Sequence, residues 1–210
     1  MRSGHDSAVG SGKLITKARW YELGAVISFG GFRRAVFDDL VTLSGARSGD
    51  RVIDVGTGTG YLAKRTARVV LPEGQVIGID PSLPVIDYAS RTSPVNCKFI
   101  LAGAEKLPLA DSFFDVAVST LAMHHIPPEL RGAAVREVHR VLRPGGRLLI
   151  VDFRPPRNRV AKRLIRAHGT STAATNPMDE LVDLLGAAGF RITGRGDRRP
   201  LLRYVQAERS

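Results

Sequence analysis

The sequence predicts an α/β fold: a mostly parallel central sheet with helices on both faces, closed by an antiparallel pair of strands at the carboxyl end. Three observations predict it. From residue 51 onward, short apolar runs alternate with longer segments of helical spacing, the pattern of parallel strands joined by crossover helices. The first run, Arg51-Val-Ile-Asp-Val55, passes straight into Gly56-Thr-Gly-Thr-Gly60, a tight turn between a strand and a helix. The second, Val76-Ile-Gly-Ile-Asp80, ends in an acid one helix later. Together these place a nucleotide pocket at the carboxyl ends of two parallel strands.

The elements follow in order within one domain, the size expected of 210 residues. Residues 1–13 are rich in Gly and Ser and read as a mobile leader. Residues 14–46 read as a helical cover, with apolar Val36, Phe37, Leu40, Val41 and Leu43 at helical spacing and a break at Phe29-Gly-Gly-Phe32. Trp20, Tyr21, Phe29 and Phe32 either pack this cover onto the sheet or wall the mouth of a pocket. The binding core, 47–155, holds strands near 51–55, 75–79, 97–101, 114–119 and 146–152, with helices near 59–70, 82–91 and 129–142. Arg143-Pro-Gly-Gly146 reads as a turn leading into the buried strand Arg147–Val151. Residues 156–210 supply a helix near 178–188. Two closing strands follow, Gly189–Thr193 and Leu201–Val205, separated by a polar loop. The basic, proline-containing stretch from Arg154 to Asn176 is the one large excursion.

Composition narrows the function classes. Apolar residues make up 43% of the chain, and no run approaches the ~18–20 needed to span a bilayer. The start, Met1-Arg-Ser-Gly-His-Asp-Ser, lacks the apolar core of a secretory signal, so a cytoplasmic protein is expected. Cys97 is the single cysteine, which excludes an internal disulfide and a cysteine-cluster metal site. Its apolar surroundings suggest a buried, inert thiol. The net charge of +11 lies almost wholly in residues 131–210, where 17 Lys or Arg face 7 Asp or Glu. Sixteen of those 17 cations are Arg. A solvated surface explains them most simply; an anionic substrate, an anionic membrane surface or nucleic acid is the functional alternative. Few aromatic residues interleave the arginines, fewer than single-strand binding would need.

The glycine spacing then selects the nucleotide. A dinucleotide fingerprint needs glycines at 56, 58 and 61, and position 61 is Tyr, which disfavours a nicotinamide oxidoreductase. Glycines fall instead at 56, 58 and 60, with Asp54 inside the motif. Gly56 and Gly58 permit backbone angles barred to other residues and a close main-chain approach to a ligand. Gly60 brings the next helix close to the sheet. Asp54 can meet a cationic amino group, and Asp80 can accept hydrogen bonds from both ribose hydroxyls. This run resembles the first motif of class I S-adenosylmethionine (SAM)-dependent methyltransferases. The resemblance continues through about residues 48–155. Ala104-Glu-Lys-Leu-Pro108, Asp111-Ser-Phe-Phe-Asp115, Leu121-Ala-Met-His-His125 and Glu137-Val-His-Arg-Val-Leu-Arg-Pro-Gly-Gly146 are similar to the ubiquinone/menaquinone-biosynthesis type of small-molecule methyltransferase.

The resemblance implies a Rossmann-like class I methyltransferase fold. It also implies SAM as cofactor, with S-adenosylhomocysteine as product. The implied cofactor residues are Asp54, Gly56, Thr57, Gly58, Thr59, Gly60, Asp80, Pro81, Gly103, Ala104, Glu105 and Thr120. Thr59 can instead be a helix-start residue, and Thr120 a strand-end hydroxyl bonded to a carbonyl. In the family the residue before Ala104 is commonly Asp or Asn reaching the adenine amine. Here it is Gly103, leaving the main chain of Gly103 and Ala104 to line that edge.

His124 and His125 follow the fourth strand beside the expected methyl donor. His124 is the candidate general base; the alternative is a strand-end residue bonding backbone. His124, His125 and His139 lack the partner set of a metal site, and His5 and His168 fall in stretches expected to be mobile. The expected acceptor is a small, largely apolar molecule, methylated at carbon or oxygen. True quinone-pathway enzymes carry a longer segment after the fifth strand that is missing here. Two rivals stand beside this reading: a nucleic-acid methyltransferase using the Arg-rich half, and a non-catalytic binding protein on the same scaffold. Against the first, base methylation usually shows an Asn/Asp-Pro-Pro-aromatic motif after the fourth strand, where this chain has His124-His-Ile-Pro-Pro128.

Overall fold

The computed structural model describes residues 32–154, 177–199 and 202–210. Trp20, Tyr21, Phe29, His5 and His168 lie outside them. Helix α1 (Arg33–Ser44) precedes β1 (Arg51–Val55), α2 (Tyr61–Val69), β2 (Gln75–Asp80), α3 (Leu83–Arg91), β3 (Cys97–Leu101) and β4 (Phe114–Thr120). A single 3₁₀ turn (Met123–His125) leads to α4 (Pro128–Val141) and β5 (Leu142–Phe153). The described chain closes with α5 (Pro177–Ala187), β6 (Phe190–Arg198) and β7 (Leu202–Arg209).

The seven strands form one sheet in the order β3-β2-β1-β4-β5-β7-β6. Pairings from β3 to β5 are parallel, and β7 runs antiparallel to both β5 and β6. This is the predicted architecture. Strand alternation sorts side chains to two faces. Ile53 and Val55 join Leu148 and Ile150 in one core, packed with α4 and α5. Val52, Leu149 and Val151 join the other with α1 and α2. Both faces are covered, so the central strands read as nearly unbroken apolar runs.

Two local readings need correction. Arg143-Pro-Gly-Gly146 is not a turn outside the sheet. Leu142 already pairs with Phe114, and the register then shifts so that Arg147 pairs with Val116. The excursion is a bulge inside β5, with Gly145 at φ 71. Likewise the polar stretch after Thr193 is no loop. It continues β6 to Arg198, with exposed and half-buried residues alternating along the strand. Polar composition suggested a loop, but an edge strand with an outward face needs few apolar residues.

Many of the arginines fasten the fold. Arg131, only 4% exposed, donates to Glu180 at 2.6 Å and to the Ile126 carbonyl, joining α4 to α5. Arg147 reaches Asp50, Arg191 reaches Glu208, and Arg198 reaches Asp39. Cys97 is buried, and burial pushes its thiol up to about 11. Among the described residues no helix is long and apolar enough to cross a membrane.

Candidate functional site

The site is built at the carboxyl ends of β1, β2 and β4. Leaving β1, the chain turns through three left-handed glycines, with φ 74 at Gly56, 54 at Gly58 and 75 at Gly60. Gly56 and Thr57 donate their N–H groups to the Ile79 carbonyl at 2.8 and 2.9 Å, tying the turn to β2. The absent side chains serve packing as well as conformation. A Cβ on Gly56 would stand 2.2 Å from that of Ala122, and one on Gly60 would stand 2.4 Å from the Phe99 ring. Gly60 caps α2 with no side-chain hydrogen bond.

Asp54, 2% exposed, accepts a 2.7 Å hydrogen bond from the Thr57 hydroxyl. Burial first of all raises its carboxyl from 3.8 to about 7; Thr57 opposes this and the charge of Asp80 adds to it. Asp80 accepts the Gly58 N–H on one oxygen at 3.0 Å and the Ser82 N–H on the other at 2.9 Å. Burial raises its pKa too, against those two bonds.

A small cleft opens here, lined by Asp54, Gly56, Thr57, Gly58, Thr59, Thr120 and Leu121, with Arg33 and Phe37 of α1 and Tyr61 of α2 also on its wall. Six of the residues read from the sequence as cofactor-binding thus share one cavity. The Thr120 hydroxyl is buried there without a hydrogen-bond partner among the described residues; the strand-end carbonyl it could have met does not take it. Arg33 lies over the Tyr61 ring at 3.7 Å, and Tyr61 meets Phe37 edge-on at 4.9 Å.

The remaining residues lie outside that cavity. Asp80 joins it through the Gly58 bond, with Pro81 exposed beside it. Gly103, Ala104 and Glu105 form the turn after β3. Ala102 donates to the Asp80 carbonyl at 3.2 Å, bringing that turn alongside. The turn is braced from behind: Glu137 accepts the Leu107 N–H, and Arg140 bonds Glu137 and the Leu107 and Leu109 carbonyls.

On the β4 side, Leu121 has φ 56, a conformation rare for a leucine. It swings the chain into the turn carrying His124. The His124 Nδ1 lies 2.7 Å from Asp152 Oδ1, and its backbone N–H donates to Asp152 Oδ2 at 3.1 Å. Asp152 is 1% exposed. Phe153, half exposed, places its ring 5.7 Å from that of His124. Neither neighbour of His124 in the sequence is an acid. The available signal was an acid directly after the apolar run of β5, where strands β4 and β5 end together. His139 packs edge-on against Phe190 instead. Among the described residues no group of three or more His, Cys, Asp or Glu could hold a metal.

Residues 52–146 match a family model described as a methyltransferase domain. A ubiquinone/menaquinone biosynthesis C-methyltransferase from Pseudomonas putida is 36% identical over 153 residues, 70% of this chain and 59% of that protein. The chain thus spans under two thirds of the curated relatives it matches. A SAM-dependent methyltransferase from Aquifex aeolicus superposes with a TM-score of 0.70 at 21% identity, covering 83% of this chain and 89% of that one. The cyclase SpnF superposes at 0.67 with 20% identity, covering 84% and 80%.

Proposed function

We propose that this chain, which has the class I methyltransferase fold, matches a methyltransferase domain over residues 52–146 and resembles the ubiquinone/menaquinone C-methyltransferases, transfers the methyl group of SAM to a small, largely apolar acceptor at carbon or oxygen. One observation carries the reading: Asp54, the glycine turn and the orphaned Thr120 hydroxyl face one cleft, and Asp80 is fastened to its rim through Gly58. The residues fit the cofactor in kind. A buried carboxylate with an elevated pKa gains most from a cationic amino group. Asp80, held by two backbone donors, still has lone pairs for ribose hydroxyls. Thr120 offers a hydroxyl that no described residue takes up.

When bound, SAM supplies a methyl group already activated by a positively charged sulfur. The protein is then left to align the acceptor, exclude water and remove a proton. Asp152 fixes the His124 ring with Nδ1 toward the carboxylate, so Nε2 is the nitrogen available as base. Beside it Phe153 offers an aromatic face for an apolar acceptor. The pairing of surface arginines with carboxylates speaks for a small acceptor over nucleic acid.

Isothermal titration with SAM and S-adenosylhomocysteine tests the cofactor. Both should bind, and Asp80→Ala should weaken them about 10–100-fold, the value of hydrogen bonds to a charged group. Incubation with methyl-labelled SAM and a metabolite extract tests the acceptor: label should appear in a small organic molecule. An extract left unlabelled by a protein that binds SAM would count against transfer.

A further inference from the structure

We propose that Glu105 supplies the acceptor for the adenine amino group which position 103, a glycine, has no side chain to supply. This rests on the reading of the cleft as a SAM site and adds to it the group that selects the base.

The sheet order sets where a base would go. The glycine turn follows β1 and Asp80 ends β2, so a nucleoside with its ribose on Asp80 extends outward over the end of β3. There Leu101 pairs with Asp80, Ala102 donates to the Asp80 carbonyl at 3.2 Å, and the chain turns from Gly103 to Lys106. The turn folds Glu105 back over Gly103. A Cβ built on Gly103 would stand 2.4 Å from Oε1, 2.6 Å from Oε2 and 2.7 Å from Cδ of Glu105. The carboxylate therefore fills the volume that a side chain at position 103 would enter.

Glycine at 103 is what admits it. The side chain is half-buried, and its carboxylate accepts no hydrogen bond from the described residues. Among those residues it is an acceptor without a protein donor, beside the ribose acid, where the edge of a purine would lie. Adenine presents an amino group at its 6-position, a donor that carboxylates accept. Hypoxanthine or guanine presents a carbonyl oxygen there, which the carboxylate repels. A charge-assisted bond of this kind is stronger than the backbone contacts alone.

Titration of the full chain with S-adenosylhomocysteine and with S-inosylhomocysteine, in which an oxygen replaces the amine, tests the assignment. Thermal melting of every variant checks folding. The wild type should prefer the adenosyl compound by at least about tenfold. Glu105→Ala should weaken adenosyl binding about 10–100-fold and abolish the preference, whereas Glu105→Gln, whose amide oxygen still accepts, should stay within a few-fold. Gly103→Ala keeps the carboxylate but pushes it aside, and should weaken adenosyl binding measurably, though less than Glu105→Ala because the flexible side chain can swing away. Adding Gly103→Asn to Glu105→Ala should restore the preference. Retention of affinity and preference by both Glu105→Ala and Gly103→Ala would overturn the role of Glu105 while leaving the SAM site standing. A wild type that binds neither compound would overturn the SAM site itself, and Glu105 with it.

Discussion

Asp152 holds His124 twice, accepting the ring Nδ1–H on one oxygen at 2.7 Å and the backbone N–H on the other at 3.1 Å. The two residues lie 28 apart in the chain. They meet because Thr120 pairs with Val151 and both strands end within a residue or two of that pair. The double grip fixes ring orientation as well as tautomer, which a single bond would leave loose. A base so prepared has consequences for turnover that binding does not share.

With an acceptor in hand, His124→Ala should lower kcat about 10²–10⁴-fold, the usual contribution of a positioned base. S-adenosylhomocysteine affinity by calorimetry should stay within about twofold. Asp152→Asn keeps the shape but can hold the ring in the wrong tautomer, and should cost kcat about 10²–10⁴-fold as well, with KM little changed. Unchanged kcat in both variants would reduce the pair to a turn-fixing contact.

Asp54 links stability to pH. Its carboxyl rises from 3.8 in the unfolded chain to about 7 in the fold, through burial. A raised carboxyl pKa makes the fold bind the proton more tightly, so this group's stabilising contribution is complete below about pH 4 and is lost as pH climbs through 7. Asp54→Asn removes that titration. Its melting temperature should match the wild type near pH 4 and exceed it at pH 8, by the equivalent of about 4 kcal/mol. The same variant should lose SAM binding. Wild-type affinity should strengthen from pH 6 to 8 as Asp54 ionises against the cationic amino group. A wild type more stable than Asp54→Asn at pH 8 would mean that the acid is not buried uncharged.

The fold and the residues gathered around the glycine turn were legible because short-range rules dictate them. A glycine turn after an apolar run, an acid ending the next strand and alternating periodicities are all written in consecutive residues. Residues that meet across the sheet were not. Asp152 reaches His124 through the β4–β5 register, and nothing adjacent to either residue advertises that pairing. The polar composition after Thr193, read as a loop, is also a poor guide to β6. Its arginines alternate with smaller residues, a pattern that composition treats as loop and the sheet edge accepts as strand. Glu105 over Gly103 is a third case: the glycine could be seen, but not the side chain that folds into its place.

Arg140 should matter to the site from a distance. It bonds Glu137, Asp111 and the carbonyls of Leu107 and Leu109, and so braces the segment that follows Gly103–Glu105. Arg140→Met keeps much of the stem and deletes those donors. The Leu109 carbonyl would then lose its Arg140 partner, at about 1–3 kcal/mol, while that of Leu107 keeps the Leu109 N–H. The melting temperature should fall by several degrees, and S-adenosylhomocysteine affinity should fall with it, although Arg140 lines no part of the cleft. Lowered stability with untouched affinity would show that the turn holds its shape without the brace.

Gly56 provides the test of why the turn is glycine at all. Two demands coincide there. Its φ of 74 lies in the left-handed region, costing a non-glycine residue about 1 kcal/mol or more. Its missing Cβ would meet the Ala122 methyl at 2.2 Å, so the turn beneath cannot stay where it is. Gly56→Ala should therefore destabilise by about 2–4 kcal/mol, from overpacking and strain together. Adding Ala122→Gly should relieve the overpacking and leave the strain, so the double variant should recover roughly half of the loss in melting temperature. Because Ala122 belongs to the segment that delivers His124 to Asp152, the single variant should also lower kcat, and the double variant should restore it further than it restores stability. Recovery of stability without recovery of kcat would separate the packing of this turn from the placing of His124.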